Sequence, residues 1–185
     1  MEETPAAVDA QDRALVGRYL NGHSDAASAL VDRYQQRLFN VALRMLGNMQ
    51  DAEDVTQTVF QNAFLKLDTY DPKYRFFSWI YRMTVNESLN ALKRRKPVVT
   101  LEDELPIPAH GMDAAADRRT EAENRVETAL KALKPDDRAV VVLRHFASFS
   151  YQEIAEVLEI PVQTVKSRLF TARERLRLNL REHVE

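Results

Sequence analysis

The chain has 185 residues, a formal net charge of −2 at pH 7 and a composition that is 45% hydrophobic, enough to build one domain or two small ones. Without cysteine it can form no disulfide, zinc–thiolate site or thiol nucleophile, and its four histidines stand apart in sequence, so we expect no metal or other cofactor. The N-terminus MEETPAAVDA lacks an apolar run and no stretch reaches 18 consecutive apolar residues, which predicts a cytoplasmic protein with no signal peptide and no membrane insertion.

The first half of the chain predicts four helices. Apolar residues recur at helical spacing over 12–21, 25–46, 50–67 and 76–95. Gly22 and Gly47 follow the first two stretches, where left-handed C-cap residues commonly stand, and Asp71-Pro72 breaks the pattern before the fourth. No convincing alternating strand pattern is present, so we expect an all-α fold.

The third predicted helix begins with a polar, acidic end formed by Asp51, Glu53, Asp54 and Gln57. Acids in a first turn complement the helix dipole and need no partner. The same end could equally dock another protein, and the residues alone leave both interpretations open.

The fourth predicted helix is rich in aromatic residues and ends in Lys93-Arg94-Arg95-Lys96. An aromatic core helix with a cationic C-terminus accounts for Trp79. It accounts less well for Tyr70, Tyr74 and Arg75 in the preceding loop, because rings beside cations favour stacking of single-stranded bases. The candidate residues of this surface are Tyr70, Lys73, Tyr74, Arg75, Trp79, Asn86, Lys93 and Arg94.

Residues 97–122 predict a flexible acidic linker between a domain at 1–96 and a domain at 123–185. Three prolines interrupt this stretch, and residues 97–124 hold seven acidic residues against two basic ones. Fully extended, those 28 residues would span roughly 90 Å. Two turns of B-DNA measure about 70 Å, so one chain could hold two separated DNA segments.

Residues 150–173 predict a helix-turn-helix. Ser150 and Glu153 form a capping-box pattern, a short break follows at Glu159-Ile160, and Pro161 stands where a helix could begin. Apolar residues then recur at Val165, Leu169, Ala172 and Leu176. Glu159 occupies a turn position where glycine is common, and a left-handed side chain there would cost roughly 1–2 kcal/mol. Two packed helices of an ordinary bundle are the alternative.

The outer faces of the second of these helices carry hydrogen-bonding and cationic side chains suited to base edges and phosphates. They are Gln163, Thr164, Lys166, Ser167, Arg168 and Arg173. Phe170 projects away from the apolar face, so it is an exposed aromatic residue that could contact a thymine methyl group or pack on a neighbouring helix.

Three segments in this order resemble the extracytoplasmic-function (ECF, group IV) sigma factors, two-domain bacterial transcription initiation factors. They are DAEDVTQTVFQNAF, FFSWIYRMTVNESLNALKRRK and LRHFASFSYQEIAEVLEIPVQTVKSRLFTARERL. The resemblance covers roughly 24–96 and 125–178. It implies a sigma region 2 domain, an acidic linker and a region 4 helix-turn-helix domain.

The resemblance also implies partners and roles. Asp51, Glu53, Asp54 and Gln57 match the helix that docks on core RNA polymerase. The 70–75 loop and Asn86 match the elements that melt the minus-ten region and capture a flipped base. Lys166, Ser167, Arg168 and Phe170 match the helix that recognises the minus-thirty-five element of duplex promoter DNA. Thr171 stands where many members carry Arg, so the promoter sequence cannot be transferred. An anti-sigma factor is a further expected partner.

Two other classes of protein compete with this interpretation. A stand-alone helix-turn-helix repressor would dimerise on a palindromic site, but it would have no need of residues 50–96. An enzyme would require a nucleophile–base pair, a phosphate loop or a metal cluster, and no such pattern is found in the sequence.

Overall fold

The computed structural model describes residues 5–95 and 121–182, so nearly all of the predicted linker lies outside the described residues. Within those two ranges every regular element is a helix, which confirms the all-α class. The helices are α1 (Pro5–Leu20), α2 (Asp25–Leu46), α3 (Met49–Leu65), α4 (Phe76–Arg95), α5 (Glu121–Lys131), α6 (Pro135–His145), α7 (Tyr151–Leu158) and α8 (Val162–Glu182), with a 3-10 turn at Leu67–Thr69.

Helices α1–α4 form an N-terminal bundle in which α2, α3 and α4 pack against one another and α1 covers α2. The helix α2 buries one side through residues such as Leu30, Tyr34 and Leu38. The buried carboxylate of Asp12 on α1 accepts hydrogen bonds from the Tyr34 hydroxyl and from Arg33. Burial raises the pKa of Asp12 despite these two partners. This polar contact fixes α1 on the bundle.

The ends of the N-terminal helices follow local chemistry. Gly47 adopts a left-handed φ of 66° and donates its N–H to the Leu43 carbonyl, so α2 ends where the glycine predicts. The side chain of Asn48 caps α3 by accepting the Asp51 N–H. The largest differences from the predicted limits are that α1 begins at Pro5 rather than at residue 12, and that α3 ends at Leu65, before the 3-10 turn.

Helices α5–α8 form a C-terminal bundle around α6, whose residues Ala139–Leu143 are all buried. The α7–turn–α8 unit is the predicted helix-turn-helix. Its capping box is complete, because the Ser150 hydroxyl accepts the Glu153 N–H and the Glu153 carboxylate accepts the Ser150 N–H. Glu159 is left-handed with a φ of 53°. Pro161 precedes α8, which begins one residue later than predicted.

The two bundles pack directly on each other, with α2 and α4 against α5, α6 and α7. The ring of Phe149 lies 4.5 Å from Phe77 and 4.8 Å from Tyr81, measured between centroids. Buried Arg138 on α6 donates to the Met45 carbonyl at the end of α2. One continuous cluster of buried apolar residues therefore runs through both bundles.

Candidate nucleic-acid interface

The loop before α4 presents one exposed ring and one buried ring. Tyr74 is 68% exposed, whereas Tyr70 is 8% exposed. The Tyr70 ring lies against Phe76 and Trp79, and its hydroxyl donates to the Tyr74 carbonyl. Burial raises the pKa of Tyr70 to about 12. Tyr70 therefore shapes the loop, and Tyr74 is the ring that is open to a ligand.

The remaining candidates of this surface are spread along α4. Asn86 is exposed in the middle of the helix, and Lys93 and Arg94 are exposed at its C-terminus, where cations complement the dipole. Trp79 is half-buried beneath the loop. The structure thus brings Lys73, Tyr74, Arg75 and Trp79 together near the start of α4 and leaves Asn86 and the terminal cations farther along it.

Sequence reasoning missed Arg82, which lies one helical turn beyond Ser78. Its guanidinium donates to the carbonyls of Glu156 (2.7 Å) and Val157 (3.3 Å) and pairs with the Glu159 carboxylate at 2.7 Å. The spacing of Ser78 and Arg82 places both on one side of α4, and Arg75, the residue immediately before α4, also contacts α7. That periodic polar stripe is the signal in the sequence that could have identified it.

The candidate residues of α8 lie on its outer side. Gln163, Lys166, Ser167, Phe170, Thr171 and Arg173 are exposed, and Thr164 and Arg168 are half-exposed. Arg168 points towards Asp136 at the start of α6, with 3.6 Å between Nη2 and Oδ2. Ser167, Arg168 and Thr171 line a groove that α8 shares with Lys93 of α4. Candidate residues of both DNA surfaces therefore meet in one cleft.

Of the four polar residues at the start of α3, one forms an ion pair within the protein and three are exposed to solvent. Asp51 pairs with Arg95, which also donates to the Leu46 carbonyl. Glu53, Asp54 and Gln57 are exposed, and Glu53 and Gln57 line a groove between α2 and α3. Asp51 therefore ties the start of α3 to the end of α4, while its three neighbours face outwards.

The described residues also bear on metal binding and on membrane insertion. Among residues 5–95 and 121–182, no group of three or more His, Asp or Glu side chains is placed to hold a metal ion. None of the helices in the part of the chain that the structure describes is both long and apolar enough to cross a membrane.

The structure thus defines an all-helical protein of two packed bundles, each with an exposed polar and cationic helix and one of them with a helix-turn-helix. Two protein-family models match the chain and identify its family. The sigma-70 region 2 model matches residues 30–98, and the sigma-70 region 4 model matches residues 123–176.

Relatives that match nearly the full length of this chain are themselves ECF RNA polymerase sigma factors. The ECF RNA polymerase sigma factor SigW of Bacillus subtilis is 33% identical over 87% of this chain and 92% of its own. The ECF RNA polymerase sigma-E factor of Escherichia coli is 32% identical over 88% of this chain and 91% of its own. The chain belongs to the ECF RNA polymerase sigma factors, which bind core RNA polymerase and direct promoter-specific initiation of transcription.

Solved structures share the fold. CnrH in complex with the cytosolic domain of CnrY matches with a TM-score of 0.73 and 27% identity, over 92% of this chain and 97% of that one. The sigma factor RpoE of Bartonella quintana, in complex with the anti-sigma factor NepR, matches in fold with a TM-score of 0.64 and 23% identity, over 83% of this chain and 96% of that one.

Proposed function

We propose that this sigma factor divides promoter recognition between its two bundles. A region 2 domain at 1–96 binds core polymerase and opens the minus-ten element, a region 4 domain at 123–185 recognises the minus-thirty-five element, and 97–122 links them. The observation that carries the proposal is that each bundle presents one helix with exposed polar and cationic side chains, α4 in the first bundle and α8 in the second. The chain has no catalysis of its own and works in the cytoplasm with the polymerase.

The minus-ten surface works by stacking and base capture. The exposed ring of Tyr74 offers a stacking platform beside Lys73 and Arg75, while the buried hydroxyl of Tyr70 holds the Tyr74 carbonyl in place. The amide of Asn86 contacts the edge of an extruded base. Extrusion costs a few kcal/mol, which stacking and edge contacts offset. Trp79 supports the loop from beneath, and Lys93 and Arg94 contact backbone phosphates.

The minus-thirty-five surface is the outer side of α8. Cationic and hydroxyl side chains there contact phosphates, and Gln163 and Arg168 can form hydrogen bonds with base edges in the major groove. Phe170 is 70% exposed and provides an apolar contact for the DNA, for example with a thymine methyl group. The set for this surface is Gln163, Thr164, Lys166, Ser167, Arg168, Phe170, Thr171 and Arg173.

The polymerase-docking surface is the exposed acidic end of α3. Glu53, Asp54 and Gln57 are available to a partner, and Asp51 contributes by fixing the start of the helix through Arg95. ECF sigma factors are usually held inactive by an anti-sigma factor, and we extend that partner to this chain on the strength of the family.

Reconstituted transcription tests the proposal. With core polymerase and genomic DNA, the purified chain should initiate at defined promoters, and Glu53→Lys with Asp54→Lys should weaken its association with core at least tenfold, because two carboxylates become cations. The matched control Asp68→Lys, in the exposed 3-10 turn at the other end of α3, should leave association unchanged.

Two results would contradict these roles. Equal loss of association in the control would show that the effect is general electrostatics rather than docking by α3. Unchanged association in the double variant would reduce the acidic end of α3 to dipole complementation.

A further inference from the structure

The α3–α4 loop, residues 66–75, is anchored to the N-terminal bundle by two buried side chains. Within this loop Leu67 and Tyr70 are buried, and the other side chains are exposed or half-buried. The Tyr70 hydroxyl donates to the Tyr74 carbonyl. The position of the exposed Tyr74 ring therefore depends on where the Tyr70 ring is held.

Tyr70 rests on a row of aromatic rings that leads into the bundle. Its ring meets Phe76, the first residue of α4, edge to face at 5.7 Å between centroids. Phe76 meets Tyr34 of α2 edge to face at 5.6 Å. Both distances are in the range that favours such aromatic pairs. Phe76 and Tyr34 are each only 1% exposed, so in a close-packed interior neither ring can turn without displacing its neighbours in the row.

The innermost ring of this row is held by a carboxylate from α1. The Tyr34 hydroxyl donates to Asp12 Oδ2, and Arg33 Nη1 donates to Asp12 Oδ1 at 3.0 Å. Burial and the Asp12 carboxylate raise the pKa of Tyr34, so the hydroxyl keeps the proton that it donates. The Asp12 side chain is fully buried. The contact holds the Tyr34 side chain in one orientation.

We propose that Asp12 and Tyr34 are positioning residues for promoter opening, which act through the aromatic row on the exposed ring of Tyr74. An apolar replacement of a buried ion pair is often equally stable, so we assign the Asp12 contact to positioning rather than to stability. A stacking platform for an unpaired base must be held in place by supporting residues before the base arrives. This inference rests on the proposed minus-ten role of Tyr74.

The location of the row predicts which step of initiation depends on it. The proposed polymerase-docking surface is at the start of α3, and the α3–α4 loop follows the end of the same helix. Roughly 17 Å of helix separate Asp54 from that end. A displaced Tyr74 ring should therefore spare association with core polymerase and with duplex promoter, and should weaken only the opening of the strands.

Opening of a promoter by the reconstituted holoenzyme tests the positioning role. Tyr34→Phe keeps the ring and removes only the hydroxyl, so it should lower the equilibrium constant for opening roughly three- to tenfold, the worth of one hydrogen bond. Asp12→Leu removes the acceptor and should act alike, whereas Asp12→Asn keeps an oxygen for the hydroxyl and should lower opening less. An adenine analogue that fluoresces when unstacked, placed in the minus-ten element, measures opening, and circular dichroism checks that each variant is folded.

The matched control is another buried hydroxyl of the N-terminal bundle. Ser88 is fully buried about three turns beyond Phe76 on α4, and its hydroxyl donates to the Thr84 carbonyl of the same helix. Ser88→Ala removes one buried hydrogen bond and should leave opening unchanged. An equal loss of opening in Ser88→Ala would show that any weakening of the bundle impairs opening, and would overturn the positioning role.

A double-mutant cycle tests whether Tyr34 acts through the loop. Tyr70→Phe removes the hydroxyl that holds the Tyr74 carbonyl and should itself lower opening. Combined with Tyr34→Phe, it should lower opening no further than the stronger single variant, because both changes release the same ring. Losses that multiply in the double variant would show that Tyr34 acts by another route, which would overturn the inference.

Tyr74→Ala separates failure of this inference from failure of the proposed function. Normal opening in Tyr74→Ala would overturn the minus-ten role of the ring and the inference that rests on it. Impaired opening in Tyr74→Ala together with normal opening in Tyr34→Phe would overturn the positioning role alone.

Discussion

Phe170 is the most exposed of the large apolar residues of α8. Its neighbour Leu169 is 2% exposed and belongs to the core, whereas Phe170 is 70% exposed and contributes little burial to the fold. Leaving a large apolar side chain in water forgoes roughly 1.5–3 kcal/mol of burial. In the proposed complex that burial is recovered on DNA, so exposure of this ring is consistent with a role in binding rather than in folding.

Asn86 offers the sharpest single-residue test of promoter opening. Asn86→Ala should leave binding to the closed, double-stranded promoter unchanged and should slow melting, because the amide is used only after a base has left the stack. A lost bidentate contact to a base edge is worth about 1–3 kcal/mol. Permanganate reactivity of unpaired thymines in the polymerase–promoter complex measures the melted fraction.

The control for Asn86 is the same residue type one turn further along the helix. Asn90 is also exposed on α4, and the polymerase carrying the Asn90→Ala variant should melt the promoter to the normal extent. Equal loss of closed-complex binding and of melting in Asn86→Ala would contradict capture of a flipped base.

Single residues also show which parts of the candidate site could be predicted. The exposure of Phe170 follows from the spacing of Val165, Leu169 and Ala172, because a regular helix fixes which residues share a side. The burial of Tyr70 does not follow from spacing, since a loop has no period and the ring is enclosed by Phe76 and Trp79. Loop aromatics are therefore the least predictable members of the set.

At the scale of elements, helices with local stop signals were predicted most accurately. The helices α2 and α4 have the predicted limits, since Gly47 ends the first and the loop containing Pro72 precedes the second. The sequence prediction began α1 seven residues late, because it placed the start of the helix where apolar residues begin to recur at helical spacing. The sequence analysis assigned no limits to α5 and α6, although Pro135 at the start of α6 and the acids after it are local signals of a helix start.

The capping box of α7 makes the stability of this element depend on pH. Burial opposes ionisation of Glu153, but hydrogen bonds with Ser150 and the Arg75 guanidinium outweigh it and lower the pKa below its ordinary value of 4.5. A carboxylate with a lowered pKa stabilises the fold above the unfolded-state value. That stabilisation is lost as the pH falls through the folded-state value.

Glu153→Gln should therefore be less stable than the original chain at pH 7, and the gap should close as the pH falls below 4.5. Urea unfolding, monitored by circular dichroism, measures the free energy of unfolding of both chains at each pH. In contrast, Ser150→Ala removes a hydroxyl cap that does not itself titrate, so it should still cost about 1 kcal/mol at low pH. A gap for Glu153→Gln that persisted unchanged in acid would show that its charge plays no part.

At the scale of the whole molecule, the packing of the two bundles had no counterpart in the sequence prediction. Arg75 and Glu153 are 78 residues apart and on opposite sides of the linker, so no periodic pattern relates them. The prediction of two domains did not include a contact between them. A continuous apolar core across both bundles implies that they unfold together.

Weakening the interface should separate the two bundles in calorimetry. Phe77→Ala removes the α4 ring that packs on Phe149, at a cost of about 1.5–3 kcal/mol, and should split one unfolding transition into two. The matched control Phe64→Ala, which loses contacts with Tyr19 and Phe60 inside the N-terminal bundle, should lower the midpoint without splitting it. Two transitions in the unaltered chain would contradict a shared core.

The contact of α7 with α4 has a consequence for the chain during its synthesis. The ribosome completes α4 before it makes residues 96–158, which takes roughly 3–13 s at about 5–20 residues per second. Throughout that interval Arg75 and Arg82 have no acidic residue of α7 to cover them. Each nascent copy therefore carries these two guanidinium groups without their α7 partners until the second bundle has been made.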